Sequence, residues 1–209
     1  AKRYFQQCIG VFQEGSRPDL AAKFINALGE VLIRLEDWQE LEAVAKTAVD
    51  LHQAYSDSFQ NLYVGYPYGL LAEVALKKAN WSEAKNYAEL ALQKNSEPKI
   101  VAISSQDADT KWGWAWKQYK SLYLLLLAKA QRHLNQREDA VKNLEQAKEE
   151  NIPQYDPQLY IDILGELRSL YFQQGEYLKA FEVKQEQKSI EAQYGFHPFT
   201  GAGSLRPTK

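Results

Sequence analysis

One pattern recurs four times along this chain. Leu28-Gly29 … Trp38 … Leu41 … Ala45 … Ala48-Val49 returns at the same offsets as Leu71-Ala72 … Trp81 … Ala84 … Ala88 … Ala91-Leu92. A third copy reads Leu127-Ala128 … Arg137 … Ala140 … Leu144 … Ala147, and a fourth Leu167 … Tyr171 … Gly175 … Tyr177 … Ala180. A unit of this size cannot bury its apolar face alone, so repetition implies like units stacked against their sequence neighbours.

Each copy has helical period. Phe24, Leu28, Val31, Leu32 and Leu35 fall on one face of a helix announced by Arg17-Pro18-Asp19. Glu36-Asp37 ends it, and Asp37 followed by Glu40 is a capping pair for a second helix from Trp38 to about His52. That helix carries Leu41, Val44, Ala45, Ala48 and Val49 as its apolar positions. So short a turn makes the two helices antiparallel neighbours. The anchors Leu41, Ala84, Ala140 and Ala180 stand 43, 56 and 40 positions apart, against roughly 34 in a standard array of this type. The extra length falls at Tyr55 to Tyr66 and, as a larger insertion, at Asn95 to Lys117. Residues 2 to 14, with Tyr4, Phe5, Cys8, Ile9 and Phe12 on one side, read as a further helix ending near Gly15.

These residues resemble the tetratricopeptide repeat. That pattern wants a small residue about twelve positions after the Leu-Gly/Ala pair and an aromatic three positions before the small one. Trp81-Ser82-Glu83-Ala84 and Tyr177-Leu178-Lys179-Ala180 fit; Trp38-Gln39-Glu40-Leu41 departs by Leu for Ala, and Arg137 departs further. The small residues allow close helix approach, and the aromatic is expected to plug the turn between the paired helices. The resemblance implies an all-α fold, a superhelical array of about four antiparallel hairpins with longer-than-standard repeats and an insertion. Residues 1–17 are then the terminal helix of a truncated repeat, 18–194 the repeat domain, and 195–209 a linker or tail.

The tail changes character: no Asp or Glu follows Glu191, and Pro198, Gly201, Gly203 and Pro207 interrupt every helical turn. Phe196 and Phe199 are expected to dock near Tyr171 or Phe181, since two exposed aromatics in a linker are costly. The wording from Ser189-Ile190-Glu191-Ala192-Gln193-Tyr194-Gly195-Phe196 to Leu205-Arg206-Pro207 resembles the segment joining a helical-repeat region to a STAND-type NTPase module in large cyanobacterial proteins. With Met absent everywhere, even at position 1, the chain is expected to be a piece cut from a longer one.

The remaining features exclude more than they assign. A balance of 25 Lys+Arg against 27 Asp+Glu, net −2, does not supply the cation excess that nucleic acid needs. No apolar run is long enough to span a bilayer. The lone Cys8 excludes a disulfide framework, and a cytoplasmic location is expected. His52, His133 and His197 have no metal-ligand spacing. Gly201-Ala202-Gly203 lacks the Gly-Lys-Ser/Thr of a phosphate loop, and Asp107-Ala108-Asp109 reads as a helix cap before Trp112 rather than a calcium loop. Asn80-Trp81-Ser82 at a hairpin turn reads as a helix start with Ser82 as cap. With no nucleophile beside a base, neither catalysis nor a cofactor is expected.

What remains is recognition of a protein or peptide. In tetratricopeptide arrays the first helix of each pair lines a concave groove, and the resemblance places Lys23, Asn26, Glu30 and Arg34 there in the first copy. Tyr66, Glu73 and Lys77 follow in the second, Leu122, Lys129, Arg132 and His133 in the third, and Asp162 and Ser169 in the fourth. The carboxylate clamp of co-chaperone repeats is missing, because its positions hold Asn26, Glu30, Leu70, Leu122 and Leu126. The candidate site is Tyr66, Lys77, Lys129, Arg132 and His133, joined by Trp112, Trp114 and Trp116 from the insertion, for an acidic or carboxylate-bearing partner. On a helix Trp112 and Trp116 share a face and Trp114 lies opposite, so one side cannot bury all three. The alternatives are an insertion that fills the groove with its own tryptophans, and a sensor domain for a peptide or small ligand.

Overall fold

The computed structural model describes residues 1–15, 18–54, 64–95 and 113–195, and no strand occurs among them. They form α1 (Lys2–Glu14), α2 (Pro18–Arg34), α3 (Trp38–Ala54), α4 (Tyr66–Lys77), α5 (Trp81–Lys94), α6 (Gly113–His133), α7 (Arg137–Glu150), α8 (Pro157–Gln173) and α9 (Tyr177–Tyr194). The recurring hairpins are therefore α2–α3, α4–α5, α6–α7 and α8–α9. The chain divides into two compact units, Ala1–Ile152 and Pro153–Lys209. The division falls inside the span 18–194 expected to be one array.

All four hairpin turns are built alike. Glu36, Ala79, Asn135 and Gly175, each five positions before its anchor, have φ of 55, 57, 62 and 77°. This left-handed residue lets the next backbone N–H turn back onto the first helix. Asp37 N–H donates to Leu32 O at 3.0 Å, Asn80 to Ala75 O at 2.9 Å, Gln136 to Gln131 O at 2.9 Å and Glu176 to Tyr171 O at 2.9 Å. These bonds satisfy carbonyls that a helix end otherwise leaves open, and they reverse the chain in two or three residues.

Helix starts follow the sequence in part. Glu40 N–H donates to Asp37 Oδ1 at 3.3 Å, the expected cap of α3, and Lys2 Nζ reaches the same carboxylate at 2.9 Å. The α5 cap differs from expectation: Asn80 occupies it, its Nδ2 donating to Glu83 Oε2 at 2.7 Å, and Ser82 is already helical. Asp156, followed by Pro157, caps α8 by accepting from Leu159 N–H at 3.0 Å.

In the first unit the hairpins stack in sequence order, with α2 beside α4 and α4 beside α6. Leu28, Leu32, Leu41, Ala45, Leu70, Leu71 and Val74 form one buried cluster, against which Phe5 and Ile9 of α1 also pack. Ala72, Ala88, Leu126 and Leu127 form the next, and Ala75, Ala84 and Ala130 a third. The anchors Leu41, Ala84 and Ala140 are fully buried. Helix α1 is fixed further by Phe5 and Phe12, whose rings lie 6.1 and 5.2 Å from that of Phe24.

In the second unit α8 buries Ile163, Leu164, Leu167 and Leu170 while α9 buries Ala180 and Val183. Tyr160 Oη donates to Glu186 Oε1 at 2.5 Å and Arg168 Nη1 to Gln187 Oε1 at 3.0 Å across the pair. Gly195 ends α9 at φ 72°. Past Gly195, the expected linker or tail 195–209 lies outside the described residues, as do the docking of Phe196 and Phe199, Asp107-Ala108-Asp109 and most of both insertions.

Candidate functional site

The candidate residues do not form one cluster. Tyr66 and Lys77 stand at opposite ends of α4, roughly 16 Å apart at the helical rise. Tyr66 belongs to the core, not to a ligand surface: it is 4% exposed, and its hydroxyl donates to Glu30 Oε1 of α2. The Tyr119 ring of α6 meets it edge-on at 5.3 Å. Burial first, and the Glu30 carboxylate second, hold the Tyr66 phenol well above its ordinary range, so it stays a neutral donor. Beside it Gly69 lets the buried Tyr123 ring approach so closely that a Cβ would lie 2.7 Å from Tyr123 Cε1. Aromatic packing thus fills the space between the N-terminal half of α4 and α6.

His133 is likewise committed. Its ring stacks on Trp81 at 3.8 Å between centroids and 6° between planes, joining the end of α6 to the start of α5. Lys77 repeats this one hairpin earlier, with Nζ 5.0 Å from the Trp38 centroid. Both residues stand seven positions before their anchors and both aromatics three before the preceding ones. The aromatic expected to plug its own turn therefore serves as a platform for the next hairpin. Register alone could have suggested this, since Trp38 and Trp81 recur together with Lys77 and His133.

Lys129 and Arg132 remain as candidates on the outer part of α6, both partly exposed. Arg132 Nη2 lies 3.4 Å from His133 Nε2. The row through Lys129 carries Glu73 on α4 and Glu30 on α2 at the same register, so the face is mixed in sign rather than uniformly positive. Basic residues close the last turns of α2, α4 and α6, where Arg34, Lys77, Arg132 and His133 also oppose the helix macrodipole. Trp112 lies outside the described residues. Trp114 and Trp116 fall in the first turns of α6, with side chains outside the described set. Among the described residues no His, Cys, Asp or Glu cluster could hold a metal, and no helix is long and apolar enough to cross a membrane.

No family model matches the chain. An uncharacterized WD repeat-containing protein of Synechocystis sp. (strain ATCC 27184 / PCC 6803 / Kazusa) is 24% identical over 98% of this chain, which spans only 12% of that relative's length. Two solved structures are similar in fold: a MamA RS-1 ArsTM double mutant and residues 41 to the end of MamA from Desulfovibrio magneticus RS-1. They are 16% and 15% identical, each covers 92% of this chain and 96% of its own, and both have a TM-score of 0.51. At that identity the likeness concerns fold alone, and the fold is an all-helical repeat of the tetratricopeptide-like kind.

Proposed function

We propose that this chain is a protein-interaction module, a helical-repeat scaffold or sensor segment within a larger signalling protein, and that it is not itself an enzyme. The observation that carries this is the side-by-side series α2, α4, α6, which sets the first helices of three hairpins next to one another. A stacked repeat can vary such a face without disturbing its buried anchors. Lys129 and Arg132 are its recognition residues, Lys77 lies at its edge, and Trp114 and Trp116 belong to the first turns of the helix that carries Lys129. The much longer relative supports a multidomain parent, and an adjoining STAND-type NTPase is the companion the tail wording favours. The aromatic filling around Tyr66 argues against an enclosed small-ligand chamber at that end.

The test replaces Lys129 and Arg132 together by Ala in the parent protein and compares specific co-purifying proteins with the unaltered form. Loss of a partner with stability changed by less than about 0.5 kcal/mol, the usual range for surface substitutions, supports the assignment. An unchanged partner set removes these two residues from the site.

A further inference from the structure

The groove between α8 and α9 has counterparts in the hairpins α2–α3 and α4–α5, and there the next hairpin occupies them. Twelve positions before the anchor stand Gly29 and Ala72; four after it stand Ala45 and Ala88. These small residues seat the following first helix. A Cβ on Gly29 would lie 2.5 Å from Leu70 Cδ1, and Leu126 is buried in one cluster with Ala72 and Ala88. The residue just after the anchor reaches the same neighbour: Glu42 pairs with Lys78, and Lys85 Nζ donates to Gln136 Oε1 at 3.1 Å. The platforms Trp38 and Trp81 carry Lys77 and His133 of that neighbour.

In the fourth copy the equivalent positions hold Arg168, Lys184, Phe181 and Tyr177. They line an open groove of about 600 Å³ together with Phe172. Phe172, Tyr177 and Phe181 are 65, 64 and 57% exposed. Three large aromatics exposed along one groove form an unusual apolar patch. The two cations stand where the earlier copies have an apolar seat, and Gln187 Oε1 holds the Arg168 guanidinium in place at 3.0 Å.

We propose that this groove docks an amphipathic helix of a partner protein. That helix carries a carboxylate at the position Leu70 and Leu126 occupy in this chain's own first helices, and a cation or aromatic ring seven residues later. The carboxylate meets Arg168 and Lys184, the later residue seats on Tyr177, and the apolar side between them covers Phe172 and Phe181. Residues 192–209 lack this complement. No carboxylate side chain follows Glu191, whereas Arg206 and Lys209 do. Helix α1, which exposes Tyr4 and Val11, has its single carboxylate at Glu14, the last helical residue, so it offers no residue seven positions on to seat on Tyr177.

The experiment measures fluorescence anisotropy of a labelled peptide copying residues 64–78 with Leu70→Glu, against a control with Leu70→Lys, titrated with the full chain. The Glu peptide is expected to bind about tenfold tighter than the Lys peptide, with that preference reversed in Arg168→Glu/Lys184→Glu protein whose helical circular dichroism is unchanged. Equal binding of the two peptides, or a preference that survives the charge reversal, overturns the proposal. So does a dimer that Phe181→Asp dissolves, which makes a second copy the occupant. Binding that emerges only after removal of residues 196–209 makes the tail the occupant and equally overturns it.

Discussion

At the scale of single residues, the turn positions decide more than their identities suggest. Glu36, Ala79 and Asn135 hold the left-handed conformation that Gly175 holds in the last copy, and three different side chains in four copies give no sequence signal for a shared turn. The turn was legible only as a short interruption, because the backbone bond that defines it is blind to the side chain. Placing Ala in the left-handed region costs roughly 1–2 kcal/mol, partly offset by the larger unfolded-state freedom of Gly. Ala79→Gly is therefore expected to stabilise the first unit by about 0.5–1 kcal/mol. Gly175→Ala, whose Cβ would meet nothing within 4 Å, should cost about 1 kcal/mol through backbone conformation alone. Urea denaturation of both variants reads the two signs, and a loss for Ala79→Gly would contradict the shared turn.

His52 belongs to this scale too. It is 5% exposed in the last turn of α3, and desolvation lowers its pKa from the ordinary 6.5. The unfolded chain takes up a proton near pH 6.5 that the folded chain resists, so stability is full above that pH and declines as pH falls below it. Equilibrium unfolding between pH 7.5 and pH 5 should show this decline, and His52→Leu should flatten it. An equal decline in both proteins would place the titrating group elsewhere.

At the scale of elements, the hairpins were readable because buried small residues recur at fixed offsets: Ala45, Ala88 and Ala91 lie where two helices touch. The site was less readable. Tyr66 and His133 have the register of groove residues, yet Glu30 on α2 and Trp81 on α5, each in the preceding hairpin, claim them. Register along one helix says which way a side chain leaves it, not what stands opposite. Close packing of α4 on α6 has a direct test at Gly69. Gly69→Ala drives a methyl into the rigid Tyr123 ring and should destabilise by about 1–3 kcal/mol despite the better helix propensity of Ala. Gly165→Ala, in α8 with nothing within 4 Å of the new Cβ, should gain about 0.5–1 kcal/mol. Thermal melts of the pair separate packing from propensity, and a gain at both positions would contradict the close approach.

At the scale of the whole molecule, fold and function part company. The fold follows from repetition, which constrains every hairpin at once, so four imperfect copies were enough to read it. The proposed recognition rests on the few side chains that repetition leaves unconstrained, and of the candidates Lys129 and Arg132 are the partly exposed pair left on α6. The most direct measurement places a photo-crosslinking amino acid at position 129 of α6 in the parent protein, and in a separate variant at position 146 on the exposed side of α7. After irradiation in the cells that make the parent, a discrete protein adduct from position 129 and none from position 146 is the result predicted for a recognition face on the first helices. No adduct from 129, or the same adducts from both positions, would contradict it.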